Sequence, residues 1–321
     1  MTLRTVLLIG GTGFIGRSLA QRLTGLGVRV IVPTRRASCA APLRLLPTID
    51  VVEVDCCDTS VLCGLMTDVD AVANLVGVLH SESDAPYGPE FARAHVELPR
   101  TIVAAARLSE VPRVVHLSAL GADVHGPSEY LRSKADGETA IRAAGPEIEW
   151  TIFRPSVVFG PGDDFLNLFS KLSSWLPVLP LGGAHTRFQP VFVEDVVSAI
   201  VHALQHHAGI NEVIDLAGPR TYTLAELVRY VVRLQRHWSV VLPLPESLAM
   251  MQAACMECLP GPLMSRDNLR SMHRDSVTSG VPMPFGLTAT AMETVAPLWL
   301  RNDRGWRSLF NQFRQRAHRA V

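Results

Sequence analysis

Lysine is almost missing from this chain: of 30 Lys and Arg residues, Lys134 and Lys171 are the sole lysines. Net charge is missing too, since 30 Asp and Glu balance the cations, which argues against nucleic acid as a partner. No run of 18 apolar residues occurs, so no hydrophobic helix long enough to span a bilayer is expected. The first β-run begins by Val6, and no signal or transit peptide is expected ahead of it. The cysteines, Cys39, Cys56, Cys57, Cys63, Cys255 and Cys258, lack the spacing of a disulfide framework and read as free thiols of a reducing cytoplasm. Cys255 and Cys258 form a C-x-x-C without a second ligand pair, and no metal is assigned there.

What the chain does have is VLLIGGTGFIG, Val6 to Gly16. An apolar β-run followed by Gly-x-x-Gly-x-x-Gly and a helix is a dinucleotide-binding turn. Gly10 turns the strand sharply, Gly13 lets a pyrophosphate approach the backbone, and Gly16 packs the helix close to the sheet. Thr12, Phe14 and Ile15 lie in the same turn, and the helix over 14–26 offers its free N–H groups to the phosphates.

Strand and helix alternate through the first half. Strands are expected at 28–32, 49–54, 70–78, 113–118 and 149–154, with helices at 59–66, 90–109 and 128–144. This alternation predicts an α/β fold, a Rossmann doubly wound parallel sheet with a smaller C-terminal substrate lobe. Residues 1–160 form the dinucleotide-binding domain, with 190–217 returning to it, and 161–189 and 218–321 form the lobe. In the later part a helix is expected at 165–172, a Pro/Gly-rich loop at 176–183, and helices at 191–204 and 223–234. The last of these carries a capping box of Thr223 and Glu226. The stretch from Val240 on is Met- and Pro-rich and reads as one or two helices.

Tyr130 and Lys134, four residues apart, project from one helix face. A nearby ammonium favours the phenolate of a tyrosine whose ordinary pKa is about 10, and so makes an acid/base of it. The ammonium can also hold the nicotinamide ribose. Ser118 ends the preceding strand, where ligands of such sheets bind, and can hydrogen-bond a substrate oxygen. In a chain that writes almost every cation as arginine, a retained lysine points to a need for the smaller point charge.

GGTGFIG, the Tyr130/Lys134 pair and RPSVVFGPGD (Arg154 to Asp163) resemble the extended short-chain dehydrogenase/reductase superfamily. More narrowly, the chain resembles the atypical branch that holds the dehydrogenase-like accessory subunit of respiratory complex I and its bacterial relatives. That match is carried by VVHLSALGA (114–122), SEYLRSKADGE (128–138), FLNLF (165–169), TRFQPVFVEDV (186–196) and LPGPLMSRDNLRSM (259–272), and the resemblance covers nearly the whole chain. It implies catalytic roles for Tyr130, Lys134 and Ser118, and cofactor contacts from Pro155, Val157 and Val158. Enzymes of the superfamily usually carry Asn where His95 stands, and a Ser-Ser or Ser-Thr pair where Ser118 is followed by Ala119 and Leu120. Three functions stay open: an oxidoreductase or epimerase/dehydratase, a non-catalytic accessory protein of a respiratory NADH:quinone oxidoreductase with structurally bound NADPH, and a nucleotide-sugar enzyme. The Met-rich stretch 250–264 suits a hydrophobic surface better than a sugar diphosphate.

The cofactor preference is read at the end of the second strand. An NAD site wants an acid there; this chain has Arg35 and Arg36, which suit the 2′-phosphate of NADP(H). Asp55 is expected near the adenine, and Asn74, Val76 and Gly77 along the pyrophosphate and ribose. At the C-terminus, Trp306, Leu309, Phe310 and Phe313 form an apolar stripe among six arginines between Arg301 and Arg319. Such a helix either packs on the lobe or lies on a membrane surface or respiratory-complex partner, which would place the protein at the cytoplasmic side, peripheral to the inner membrane.

Overall fold

The structure, a computed structural model, describes residues 3–257, 264–278, 280 and 282–300. The basic C-terminal stripe and Cys258 lie outside these residues. β1 (Thr5–Ile9) is buried along its whole length, as the centre of a parallel sheet covered on both faces must be. It passes through the glycine turn into α1 (Phe14–Gly25), then β2 (Arg29–Thr34), β3 (Ile49–Glu53), α2 (Thr59–Leu65) and β4 (Ala71–Asn74). A short α3 (Pro89–Phe91), a π-helical turn (Ala92–Glu97) and α4 (Leu98–Leu108) lead to β5 (Arg113–Leu117), α5 (Glu129–Arg142) and β6 (Glu149–Pro155).

Beyond β6 come β7 (Val158–Phe159), α6 (Leu166–Trp175), β8 (Val178–Leu181), β9 (Arg187–Phe188), β10 (Val191–Phe192) and α7 (Val193–Gln205). β11 (Glu212–Leu216), β12 (Tyr222–Thr223), α8 (Leu224–Gln235), β13 (Val240–Pro243), α9 (Glu246–Glu257), α10 (Arg266–Ser271), α11 (Met292–Val295) and α12 (Pro297–Leu300) complete the described chain.

Seven strands form one parallel sheet in the order β11-β6-β5-β4-β1-β2-β3. The fold is therefore the expected doubly wound Rossmann sheet. Leu19 and Leu23 of α1 pack with Val196 and Ile200 of α7 on one face, and Leu62, Ile102 and Ile141 cover the other. Each such side chain contributes about 1.5–3 kcal/mol by leaving water. The order reverses between β1 and β4, the switch point outside whose strand ends sheets of this kind bind their ligands. A separate core, with Leu166, Phe169, Leu224 and Val228, fills the C-terminal lobe.

Four local expectations are corrected. The strand expected over 70–78 stops at Asn74, whose side-chain oxygen accepts from Val76 N at 3.2 Å and bends the chain away. The helix expected over 90–109 is interrupted by the π turn. Pro99 has no N–H for the His95 carbonyl, and the helix widens there instead of closing an α turn. The loop expected over 176–183 contains β8, which pairs in parallel with β13 and turns Leu179 and Leu181 inward. The stretch from Val240 holds four α-helices and one 3-10 turn among the described residues rather than one or two helices.

Candidate active site

At the end of β1, Gly10 has φ +85°, a left-handed conformation that side chains other than glycine rarely adopt. A Cβ on Gly16 would lie 2.2 Å from the Gly10 carbonyl oxygen, so this glycine lets α1 close onto the turn. Gly13 is different: it is exposed, and the nearest atom to a Cβ there is Gly10 O at 3.3 Å. No side chain caps α1, and its first N–H groups are left for an anion. The Thr12 carbonyl accepts from Arg17 Nε at 3.0 Å, fixing the loop. Ile15 and Phe14 pack on the sheet core, with the Phe14 ring against Gly160. This open, uncapped glycine cradle fits a dinucleotide pyrophosphate.

Beyond β2, Arg35 and Arg36 are exposed, and neither forms an ion pair among the described residues. Thr34 Oγ1 donates to Arg36 O at 3.1 Å and accepts from Arg36 N, setting the backbone between them. Asp55 is ion-paired with Arg93 and accepts from Cys57 N at 3.2 Å. Asn74 is fully buried; its Nδ2 meets His116 Nδ1 at 3.1 Å, so its side chain is spent inside the sheet. Burial pushes His116 down to about 3, which keeps the ring neutral. Val76 and Gly77 follow the end of β4, Val76 half-buried and Gly77 exposed.

Helix α5 begins at Ser128, whose hydroxyl accepts from Leu131 N. Its first N–H groups are held from outside: the Asp267 carboxylate accepts from Glu129 N at 2.7 Å and from Tyr130 N at 3.0 Å. One turn on, Lys134 Nζ donates to the Leu117 carbonyl at 3.2 Å and the Val76 carbonyl at 3.4 Å. A Cβ on Gly77 would be 3.3 Å from that nitrogen, the movable end of the lysine side chain. Burial draws Lys134 down to about 8, with Glu138 opposing.

The Tyr130 ring stands edge-on to His95 at 5.5 Å and to Phe91 at 6.1 Å. Burial pushes its phenol up to about 12. The Lys134 ammonium is turned to the Leu117 and Val76 carbonyls, and no described residue is hydrogen-bonded to the Tyr130 phenol.

His95 packs beside Tyr130 and close to Lys134. Its Nε2 accepts from Val78 N at 3.0 Å, so its proton sits on Nδ1, which faces Ser133 Oγ at 2.9 Å. Burial and the neighbouring Lys134 keep it neutral. Ser118 turns elsewhere: its hydroxyl donates to Glu138 Oε1 at 2.6 Å, and Arg154 holds the same carboxylate at 2.6 and 2.7 Å. Of the β6 end, the buried Pro155 accepts from Leu120 N at 2.9 Å, and the Val157 carbonyl accepts from Val191 N at 3.0 Å. Val157 packs on the lobe core and Val158 on the sheet core.

Two functional contacts escaped sequence reasoning. Asp267 reaches α5 from 137 residues away, and Glu129 accepts from Gly88 N at 3.0 Å and from Ser83, pinning the loop after β4. Ser265-x-x-Asn268 does mark the start of α10, but no local pattern says which helix it docks against.

Residues 6–217 match the NAD dependent epimerase/dehydratase family. The chain belongs to that family. It is 32% identical over 294 residues to the mitochondrial NADH dehydrogenase (ubiquinone) 1 alpha subcomplex subunit 9 of Arabidopsis thaliana, covering 86% of this chain and 71% of the relative. It is 28% identical to a ceramide reductase of Caulobacter vibrioides, over 94% of this chain and 95% of the relative. In structure it is similar to DesIV, a dTDP-glucose 4,6-dehydratase of Streptomyces venezuelae solved with NAD, at a TM-score of 0.73 and 22% identity over 94% of this chain and 98% of the other.

Proposed function

We propose that this chain binds NADP(H) and reduces or oxidises a carbonyl/alcohol pair with Tyr130 as its acid/base. The supporting observation is the Tyr130 phenol, free of any described hydrogen-bond partner, one turn before Lys134, whose ammonium lies at the ends of β4 and β5. Gly10, Gly13, Gly16 and the start of α1 would hold the pyrophosphate, Arg35 and Arg36 the 2′-phosphate, and Val76, Gly77 and Lys134 the ribose beside the nicotinamide. The cofactor, when bound, supplies or accepts a hydride. Tyr130 gives its proton to the carbonyl oxygen during reduction and takes it back from the alcohol during oxidation. Lys134, already desolvated, stabilises whatever negative charge that transfer leaves on the phenol. Ser118, committed to Glu138, is a positioning residue in this scheme rather than a hydrogen-bond donor to substrate.

A second reading rests on that same Ser118–Glu138 bond and on His95: an accessory protein of a respiratory complex that keeps NADP(H) bound without turning it over. Fluorescence titration with NADPH and NADH, followed by assay against mixed ketones, separates the two. The proposal expects tighter NADPH, and turnover lost in Tyr130→Phe with cofactor affinity kept. Tighter NADH removes the role of the arginines, and a bound cofactor that no carbonyl consumes favours the accessory reading.

A further inference from the structure

The C-terminal lobe ends in a tip built from two segments, residues 165–181 and 229–245. β8 and β13 lie side by side there, Val178 opposite Val240 and Pro180 opposite Leu242. Ser239 Oγ donates to the carbonyls of Ser173 and Leu176, tying the segment before β13 to the end of α6. This knot brings Trp175 and Trp238 to the same end of the lobe, and they are 86% and 96% exposed. Leu176, Val178, Val240 and Leu242 are exposed around them. A soluble surface rarely leaves two tryptophans and four aliphatics together in water without using them.

The charge carried by these two segments has one sign, although Asp164, Glu226 and Glu246 stand just outside them and Glu226 faces Arg229. Residues 165–181 and 229–245 contain Lys171, Arg229, Arg233 and Arg236 and not one Asp or Glu, in a chain whose charges balance overall. All four cations are exposed and none forms an ion pair among the described residues. The acids of the neighbouring α9 are both engaged, Glu246 with His273 and Glu257 with Arg266.

We infer that this tip is a docking surface for an anionic phospholipid bilayer. Indole rings favour the boundary between headgroup and acyl chain, and exposed cations beside them meet the negative surface potential of the leaflet. The inference is independent of the cofactor and adds a surface in the folded lobe to whatever the C-terminal stripe contributes.

The experiment is flotation of the full chain with phosphatidylcholine vesicles, with and without phosphatidylglycerol, at low and high salt. The wild type is expected to float with the phosphatidylglycerol vesicles at low salt, with its tryptophan emission shifted to the blue. Trp175→Ser with Trp238→Ser should lose most of the bound fraction and the shift, while far-UV circular dichroism shows the fold intact. Lys171→Gln with Arg233→Gln and Arg236→Gln should weaken binding by roughly two orders of magnitude, about fivefold per cation. A wild type that stays unbound, or a double tryptophan variant that floats as well, overturns the inference. So does a dimer in gel filtration that depends on these tryptophans in the absence of lipid.

Discussion

Gly13 shows how much one absent methyl group decides. Its place on the open side of the cradle is set by Gly10 and Gly16, which the turn itself needs, whereas a Cβ on Gly13 meets only Gly10 O, at 3.3 Å. Its φ is −75°, open to any residue, so a side chain there asks only a small shift of that carbonyl. Gly13→Val is expected to stay folded with a modestly lowered melting temperature and to abolish NADPH binding in a fluorescence titration. Gly16→Val, with 2.2 Å to Gly10 O, should unfold the turn as well. Cofactor affinity retained in a folded Gly13→Val protein would move the phosphate site elsewhere.

Among the elements, the α4–α5 contact carries the site. The π turn leaves the His95 carbonyl without an α-helical donor, and that oxygen sits where a Cβ on Gly137 would be, 2.1 Å away. On propensity alone, Gly137→Ala would gain about 1 kcal/mol in the interior of α5. The overlap with a backbone oxygen outweighs that gain, since helices forced apart in a packed interface lose about 1–3 kcal/mol. Denaturant unfolding should therefore show Gly137→Ala less stable than the wild type, and His95 and Tyr130 should shift together. A stabilised Gly137→Ala would mean that α5 moves freely against the π turn.

At the scale of the whole molecule, the lobe is fastened to the Rossmann sheet through α10. Asp267 caps α5, Ser271 Oγ meets Ser128 Oγ at 2.8 Å, and Asn268 Nδ2 donates to the Leu79 carbonyl at 3.2 Å. The lobe thus sets the start of the helix that bears Tyr130. Asp267→Ala should cost about 0.5–2 kcal/mol, the worth of a helix cap. Thermal unfolding should show Asp267→Asn recovering only part of it, because the amide oxygen replaces one of the two acceptors and the NH2 faces the other N–H. Equal melting temperatures for wild type and Asp267→Ala would show that the two lobes hold together without this link. Among the described residues no helix is long and apolar enough to cross a membrane.

The sequence determined the Rossmann sheet by itself, because buried parallel strands and amphipathic helices write their periods locally and glycine turns write their needs in single letters. Gly10, Gly13 and Gly16 could be assigned separate duties before any coordinate was known, and Tyr130 and Lys134 could be put on one helix face. Tertiary structure alone decided what those side chains touch. Ser118 donates to Glu138 because Arg154, 16 residues further on, brings a counter-charge that makes a buried carboxylate tolerable. Lys134 turns to the Leu117 and Val76 carbonyls because β4 and β5 end beside it. β8 was unreadable in a Pro/Gly-rich stretch, since its partner β13 lies more than fifty residues away and supplies the pairing that the local sequence does not announce.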